Sequence, residues 1–157
     1  MNDLYKNLPK KSAAAGALMF NDKGELLLVK PNYKDRWSIP GGVIENNESP
    51  KEACIREVKE EIGIKLNTAT FLCVDYTPAT KEKDETFQFM FYGGTIDSKQ
   101  ISEIKLQEKE IDEYRFVPID RVESLLGGNV RSLAKRIPKC LEAIKTGTAV
   151  YLEDGRF

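Results

Sequence analysis

The sequence predicts a single α/β domain that covers residues 1–157. Strand-like apolar runs stand on both sides of a helix with strong start and stop signals, and a second helical pattern follows near the C-terminus. A chain of this length buries roughly 70% of its unfolded surface, which suffices for one core. The sequence contains no internal repeat, low-complexity tract or linker that would divide it.

The first elements are two strands and a glycine-rich loop. We expect a buried strand over residues 13–20, a hairpin turn over 21–24 and a returning strand over 25–29. The loop over residues 31–42 carries the only tryptophan, Trp37. It ends in Pro-Gly-Gly, a sequence that lets the backbone turn sharply or approach a ligand closely.

The next element is a helix over residues 50–62. Ser49 is the expected N-cap, Pro50 occupies the first helical position, and Glu52 completes a capping box. Gly63 is the expected left-handed residue that ends the helix. These signals fix both ends of the helix.

The remaining elements are less sharply bounded. We expect strands over residues 70–76, 87–92 and 113–117, with the charged stretch 81–85 as an exposed loop between the first two. From Arg121 onward the pattern is helical, and Pro138 predicts either a kink or a second helix start. Residues 149–157 would add a short strand.

The composition limits the available chemistry. Because the chain has no histidine, Ser-His-Asp and Cys-His nucleophiles and imidazole-based zinc sites are excluded. Acid–base chemistry must therefore use carboxylates, Lys, Tyr, Cys or a metal-bound water. The 24 basic and 25 acidic residues give a formal net charge of −1, which disfavours a generic nucleic-acid binder and a polybasic membrane-surface protein.

The cysteines and the N-terminus bear on the expected location. Cys54, Cys73 and Cys140 are odd in number and far apart, so we expect buried reduced thiols rather than a disulfide framework. Residues 1–11 lack the apolar segment of a signal peptide, and no apolar run reaches the ~18 residues of a membrane span. The sequence therefore predicts a cytoplasmic protein without a membrane partner.

Three carboxylates share one face of the central helix. Glu57, Glu60 and Glu61 stand at positions i, i+3 and i+4, which places them about 5–6 Å apart. On helical geometry alone, Arg56 and Lys59 are expected to point elsewhere and leave these charges uncompensated. Such a face suits a hard divalent cation, Mg²⁺ or Mn²⁺, and the alternative is a solvated acidic surface.

Residues 42–64 read GVIENNESPKEACIREVKEEIGI. This segment resembles a complete Nudix box, G-x5-E-x7-R-E-U-x-E-E-x-G-U, where U is an aliphatic residue, and no position departs from it. The box covers 23 of the 157 residues. The resemblance implies an α/β/α sandwich with a mixed β-sheet, in which the box forms a loop-helix-loop catalytic motif.

The resemblance also implies an activity and a set of ligands. Members of the family hydrolyse nucleoside diphosphates linked to another group, by attack of water on a phosphorus of the pyrophosphate, with Mg²⁺ or Mn²⁺. It implies metal ligation by the carboxylates of Glu57, Glu60 and Glu61 and by the carbonyl oxygen of Gly41. The metal ions held there would offset the negative charge that develops on the leaving phosphate.

Further roles follow from the resemblance. Arg56 would pair with the helix carboxylates and orient Glu57, and Glu48 would lie just behind the ligands. With Glu57 and Glu61, Arg56 completes the catalytic residues that the box supplies. Gly42 and Gly63 would shape the turns into and out of the helix.

The family often places a further catalytic glutamate after the box. Glu113 stands just before the expected aromatic strand and is our first candidate, followed by Glu110. The alternative is that these residues and Glu108 only solubilise a loop.

Substrate contacts are less sharply indicated. Tyr33 and Trp37 could stack on a base, although Trp37 could equally belong to the core, and Phe89 and Phe91 alternate along a strand that must bury at least one face. On the last helix a basic row could contact RNA or phosphate, but a solvated face is the favoured reading; its members are Arg131, Lys135 and Lys139.

The expected function is cleavage of the pyrophosphate bond of a small nucleoside diphosphate derivative, such as a nucleoside triphosphate or ADP-ribose. The alternatives are an RNA 5′ pyrophosphohydrolase and a non-catalytic nucleotide-binding regulator of the same fold. Nucleic acid is not the expected partner because the chain offers no extended basic groove. Many relatives form homodimers, and the sequence leaves that assembly open.

Overall fold

The computed structural model describes residues 2–126 and 133–157, and in these ranges helices are interspersed among the strands. Their order is α1 (Asp3–Lys6), β1 (Ser12–Phe20), β2 (Leu26–Pro31), β3 (Gly41–Val43), α2 (Pro50–Ile62), β4 (Thr70–Thr77), β5 (Thr86–Thr95), α3 (Ser98–Ser102), β6 (Ile111–Val117), α4 (Ile119–Leu126), α5 (Leu133–Thr146) and β7 (Val150–Glu153).

All strands belong to one mixed sheet of seven strands in the order β6-β2-β1-β5-β4-β7, with β3 paired to β1. β1 runs parallel to β5, and β4 runs parallel to β7. The other pairs, β1 with β2 and β3, β2 with β6, and β4 with β5, are antiparallel. The prediction of an α/β fold with a mixed sheet is confirmed.

Helices cover both faces of the sheet. On one face α2 buries Ala53, Val58 and Ile62 in a cluster with alternate residues of β1, among them Ala17 and Met19. On the other face a second cluster joins β1 to α4 and α5 through Leu18, Phe20, Val122, Leu126, Ile137 and Cys140. Because both faces are covered, β1 is apolar along its length rather than alternately polar.

The bounds of α2 agree with those expected from its local signals. Ser49 accepts a hydrogen bond from the backbone N–H of Glu52, and the Glu52 carboxylate accepts one from the backbone N–H of Ser49. Gly63 ends the helix in the left-handed conformation, with φ 74°. These groups satisfy donors and acceptors that the helix ends would leave unpaired, so the chain enters and leaves α2 at defined points.

Several elements differ from the sequence-based expectations. The short helices α1 and α3 were not expected, although Asp97 and Gln100 form a capping box at the start of α3. Pro138 lies inside α5, which begins at Leu133, so it does not start a helix of its own. β6 begins at Ile111, two residues before the expected strand over 113–117, so Glu113 is its third residue rather than its first.

The three cysteines are buried and free, as expected. The Sγ atoms of Cys73 on β4 and Cys140 on α5 lie 3.5 Å apart, which is hydrogen-bonding distance for two thiols and well beyond the ~2.05 Å of a disulfide. Burial raises the pKa of the Cys54 thiol to about 12, so that thiol stays protonated and acts as a small apolar side chain. Within the two described ranges, no helix has the length and apolar character needed to cross a bilayer.

A buried ion pair fastens α5 to the sheet. Nε of Arg136 donates to Oδ2 of Asp75 on β4 at 2.8 Å, and the backbone N–H of Gly155 donates to Oδ1 of Asp75 at 3.0 Å. Asp75 is fully buried and Arg136 is 4% exposed. Together these contacts tie α5 and the turn after β7 to one carboxylate.

The basic row expected on the last helix is only partly described. Arg131 lies outside the described residues. Lys135 is exposed on α5, and the Lys139 ammonium lies 3.7 Å from the ring centroid of Phe157. Lys139 is therefore engaged in a cation–π contact with the C-terminal residue.

We predict that Asp75→Ala lowers the free energy of unfolding by about 3–5 kcal/mol, because it leaves the buried Arg136 guanidinium without its counter-charge. The matched control is Asp35→Ala, which removes a pair between Lys30 and a fully exposed carboxylate and should cost less than about 1 kcal/mol. Urea unfolding of both variants measures the difference. Equal losses of unfolding free energy in the two variants would contradict the expectation that the buried pair stabilises the fold more than the exposed pair does.

Candidate active site

The site is built where β3 passes close to α2. The backbone N–H of Gly41 donates to Oε2 of Glu61 at 3.1 Å. A Cβ atom on Gly41 would overlap the backbone of Ala15 and Gly16, and one on Gly42 would lie 2.5 Å from the carboxyl carbon of Glu57. The two glycines therefore allow a main-chain approach that side chains would block.

Glu57 and Glu61 lie on the face of α2 that meets these glycines. Glu61 is 4% exposed, and burial raises its pKa to about 8. The Gly41 amide opposes this rise, whereas the charges of Glu57 and Glu110 add to it. Burial also raises the pKa of Glu57, against the opposing effect of Arg56. The two desolvated carboxylates repel each other, and a bound cation would reduce this repulsion and stabilise their charged forms.

Arg56 joins the carboxylates of the site into one network. Its Nε and Nη2 atoms donate to the two carboxylate oxygens of Glu48 at 2.6 and 3.0 Å. Its Nη1 atom donates to Oε1 of Glu57 at 2.9 Å and to Oε2 of Glu60 at 3.2 Å. The hydrogen bonds from Arg56, together with one from the backbone N–H of Glu45, lower the pKa of Glu48 to about 2. The expectation from helical geometry that Arg56 points away is wrong, because its long side chain bends back over the helix surface.

Glu60 is set apart from the other two acids. Its side chain is 48% exposed and its carboxylate pairs with Arg56, which stands one helical turn earlier. In the part of the chain that the structure describes, no three Asp, Glu or Cys side chains form a ready metal-binding cluster. The structure places Glu61 against Gly41 and Glu57 against Gly42, whereas Glu60 stays half-exposed beside Arg56 and its charge acts on Glu57 from there.

The carboxylates of Glu57 and Glu61 and the main-chain carbonyl of Gly41 are ligands that suit a hard divalent cation. Carboxylate oxygens and main-chain carbonyls are the ligands that Mg²⁺ and Mn²⁺ prefer. The raised pKa of Glu61 shows that its charged form is poorly stabilised by the protein alone.

Glu113 faces away from this site. Its carboxylate accepts from Nε of Arg115 at 2.7 Å, and the Arg115 guanidinium lies over the Trp37 ring at 4.8 Å. The alternate residues Tyr114 and Phe116 pack into the cluster that α2 covers. Because successive strand residues point to opposite faces, Glu113 lies on the face opposite α2.

Glu110 lies near the site instead. Its charge raises the pKa values of Glu57 and Glu61. The turn that carries it is anchored by the backbone N–H of Gln107, which donates to the Glu61 carbonyl at 3.0 Å, and by that of Asn32, which donates to the Glu110 carbonyl at 2.8 Å. Of the two candidate glutamates, Glu110 is thus the one whose charge reaches both Glu57 and Glu61, and the identity of the general base stays a prediction. These anchors are tertiary contacts without a local sequence signal.

Tyr33 and Trp37 both line a cavity of ≈590 Å³ that also contacts Gly41 and Gly42. Trp37 is 8% exposed and belongs to the core on the α5 side, whereas Tyr33 is 65% exposed. Trp37 is thus both a core residue and part of the cavity wall. Phe89 and Phe91 pack on the opposite face and do not line the cavity.

Sequence reasoning missed other residues of the cavity wall. They include Gln88 on β5 and four cations, Lys34, Arg36, Lys83 and Arg136. The run of small residues over 12–17 of β1 was the available signal, since Ser12 and Ala14 are much smaller than Leu18 and Phe20 on the same face of the strand.

Comparison with known proteins agrees with the box. The family model described as NUDIX domain matches residues 10–140. An RNA pyrophosphohydrolase from Hydrogenovibrio crunogenus is 41% identical over 49 residues, which is 31% of this chain and 30% of that protein. Diphosphoinositol polyphosphate phosphohydrolase 3-alpha from Mus musculus is 38% identical over 82 residues, which is 52% of this chain and 49% of that protein. The aligned region thus spans less than half of each curated relative.

A solved structure supports the fold. The crystal structure of a MutT protein from Methanosarcina mazei Go1 superimposes with a TM-score of 0.68 at 24% identity, over 90% of this chain and 99% of that one. Because the family model covers most of the chain and the site residues occupy the box positions, the chain belongs to the NUDIX domain family.

Proposed function

We propose that this protein is a divalent-cation-dependent pyrophosphohydrolase acting on small nucleoside diphosphate derivatives. The observation that carries the proposal is the desolvated pair Glu57 and Glu61, held against Gly41 and Gly42 beside a cavity large enough for a nucleotide. Both curated relatives named above are hydrolases of phosphorylated substrates by their names.

Glu57, Glu61 and the carbonyl oxygen of Gly41 would hold Mg²⁺ or Mn²⁺. Such a cation offsets the charge that develops on the phosphate oxygens as the anhydride bond breaks. Arg56 holds Glu57 in place, and Glu48 in turn fixes Arg56 through two hydrogen bonds. Glu60 supports this arrangement as a second partner of Arg56 rather than as a first ligand.

The chemical step is displacement at phosphorus. A water oxygen forms a bond to phosphorus, the bond from phosphorus to the bridging oxygen breaks, and the bridging oxygen leaves with the electron pair. The proton of the attacking water passes to a carboxylate, which we assign to Glu110 because its charge acts on both Glu57 and Glu61.

A second candidate substrate is the 5′ end of RNA, which one relative's name favours. The two are separated by assaying phosphate or pyrophosphate release from ADP-ribose, nucleoside triphosphates and 5′-triphosphorylated RNA at about 150 mM salt. We expect a small nucleotide to have the highest kcat/KM. An RNA value at least about tenfold above every small nucleotide would assign the protein to RNA.

On the best substrate of that panel, we predict that Glu61→Gln lowers kcat by at least about 10³-fold, because it removes a charged donor from the cation site. Activity should also vanish in EDTA. The control is Glu103→Gln, an exposed acid at the end of α3, which should keep the wild-type rate. Full activity of Glu61→Gln, or full activity in EDTA, would exclude the cation mechanism.

We predict that Gly42→Ala lowers kcat by about 10²-fold or more, because the new Cβ would displace the Glu57 carboxylate. The fold should survive, since the group that must move is the end of a flexible side chain. Gly24→Ala is the control for a change in stability without a change at the site. At φ 73° an alanine is strained by about 1–2 kcal/mol, but no atom lies within 4 Å of its Cβ. That variant should lose stability and keep its rate. An unchanged rate for Gly42→Ala would contradict the importance of the close approach.

We predict that Glu110→Gln lowers kcat by about 10²–10⁴-fold with little change in KM, which is the usual effect of losing a general base. Glu113→Gln is the matched control and should retain most of the rate, because it removes only a contact to Arg115 on the other face. If the two variants exchange these outcomes, the base is Glu113. If both keep their activity, the base lies within the box.

A further inference from the structure

The cavity beside the site owes its depth to small residues on β1. Ala14 and Gly16 lie on the face where Leu18 and Phe20 pack against α4 and α5. A Cβ atom on Gly16 would come within 2.8 Å of Cδ1 of Ile39. Gly16 therefore makes room for the Ile39 side chain, and the cavity is lined beside this contact by Ser12, Ala14, Gly41 and Gly42.

Three cations without carboxylate partners line this cavity. Lys34 and Arg36 come from the loop after β2, and Lys83 comes from the loop between β4 and β5. Among the described residues none of them forms an ion pair, whereas Lys6, Lys11 and Lys30 do. Asp84 is the one carboxylate among the described lining residues. A local positive excess is thus present in a chain whose net charge is −1.

The fourth cation of the cavity is already neutralised. Arg136 pairs with the buried Asp75, so it adds no free charge to the wall. The cations without a carboxylate partner come from the two loops, and of these Lys34 lies over the Tyr33 ring at 5.2 Å. Trp37, Met90 and Leu133 supply apolar parts of the lining. The cavity thus combines a positively charged part with an apolar part.

The three cations act on one another. Lys34 is an exposed residue, yet desolvation at the cavity wall lowers the pKa of its ammonium group, and the charges of Lys83 and Arg36 lower it further. Glu61 opposes this effect, which places Lys34 within electrostatic reach of the carboxylate site as well. Mutual repulsion costs free energy that a multiply charged anion would recover.

We propose that Lys34, Arg36 and Lys83 bind phosphate groups beyond the scissile pyrophosphate, so that the preferred substrates carry at least three linked phosphates. This inference rests on the proposed pyrophosphohydrolase function. It favours a nucleoside triphosphate or a dinucleoside tetraphosphate over ADP-ribose, whose two phosphates both belong to the scissile bond. Three cations in one cavity do not form the extended track that a long polyanion needs.

A binding experiment tests the proposal without turnover. Inorganic tripolyphosphate and inorganic pyrophosphate are titrated calorimetrically into the metal-free protein at about 150 mM salt. We expect tripolyphosphate to bind at least about fivefold more tightly, and Lys34→Ala/Arg36→Ala/Lys83→Ala to abolish the preference. The control Lys51→Ala/Lys65→Ala/Lys145→Ala removes the same charge from exposed positions outside the cavity and should preserve it. No preference in the wild type, or its loss in the control, overturns the proposal.

Kinetics provide the second arm. The cavity variant should lower kcat/KM for diadenosine tetraphosphate by about tenfold or more, mainly through KM, and change that for ADP-ribose less than about threefold. Equal losses on both substrates overturn the inference while leaving the hydrolase in place. Absence of hydrolysis of any substrate would instead contradict the proposed function, and the titration would still decide whether the cations bind polyphosphate.

Discussion

The close approach of the Gly41–Gly42 backbone to α2 is the constraint on which the site depends. It requires that β3 pair with β1, because Gly41 and Gly42 stand opposite Gly16 and Ala15 in that register. It also requires that α2 begin and end at fixed residues, since Glu57 and Glu61 must lie on the face that meets the glycines. The result is a carboxylate with a main-chain hydrogen bond on one side and little water around it. A desolvated acid of this kind is stabilised most by a nearby positive charge.

Arg56 resolves the conflict that three neighbouring acids would otherwise create. It neutralises Glu48 through two hydrogen bonds and shares one donor atom between Glu57 and Glu60. Glu60 is thereby turned to the outside of the helix, where it remains half-exposed. Glu57 keeps a second oxygen for another partner, because its bond from Arg56 uses Oε1. The network explains how an acidic helix stays folded while two of its carboxylates face inward.

Local signals and tertiary contacts differ in how well the sequence reveals them. The bounds of α2 follow from Ser49, Glu52 and Gly63, whose effects act within a few residues, and the structure agrees with them. The placement of Glu110 could not be predicted in the same way, because it depends on backbone bonds from Gln107 to Glu61 and from Asn32 to Glu110. The pair of Asp75 and Arg136 joins residues 61 positions apart. Lys34 and Lys83 likewise meet across one cavity from two separate loops. Contacts between residues that are far apart in the chain leave no periodic pattern in the sequence, so the sequence alone does not predict them.

We infer that Glu57 and Glu61, rather than all three acids of the face, form the cation site. Titration of Mn²⁺ followed by electron paramagnetic resonance tests it directly, with Glu60→Gln and Glu61→Gln as a matched pair on the same helix. We expect Glu61→Gln to weaken Mn²⁺ binding by at least about 10²-fold, and Glu60→Gln to weaken it by less than about tenfold, through the looser Arg56. Equal weakening by the two substitutions, or a larger effect of Glu60→Gln, would contradict it.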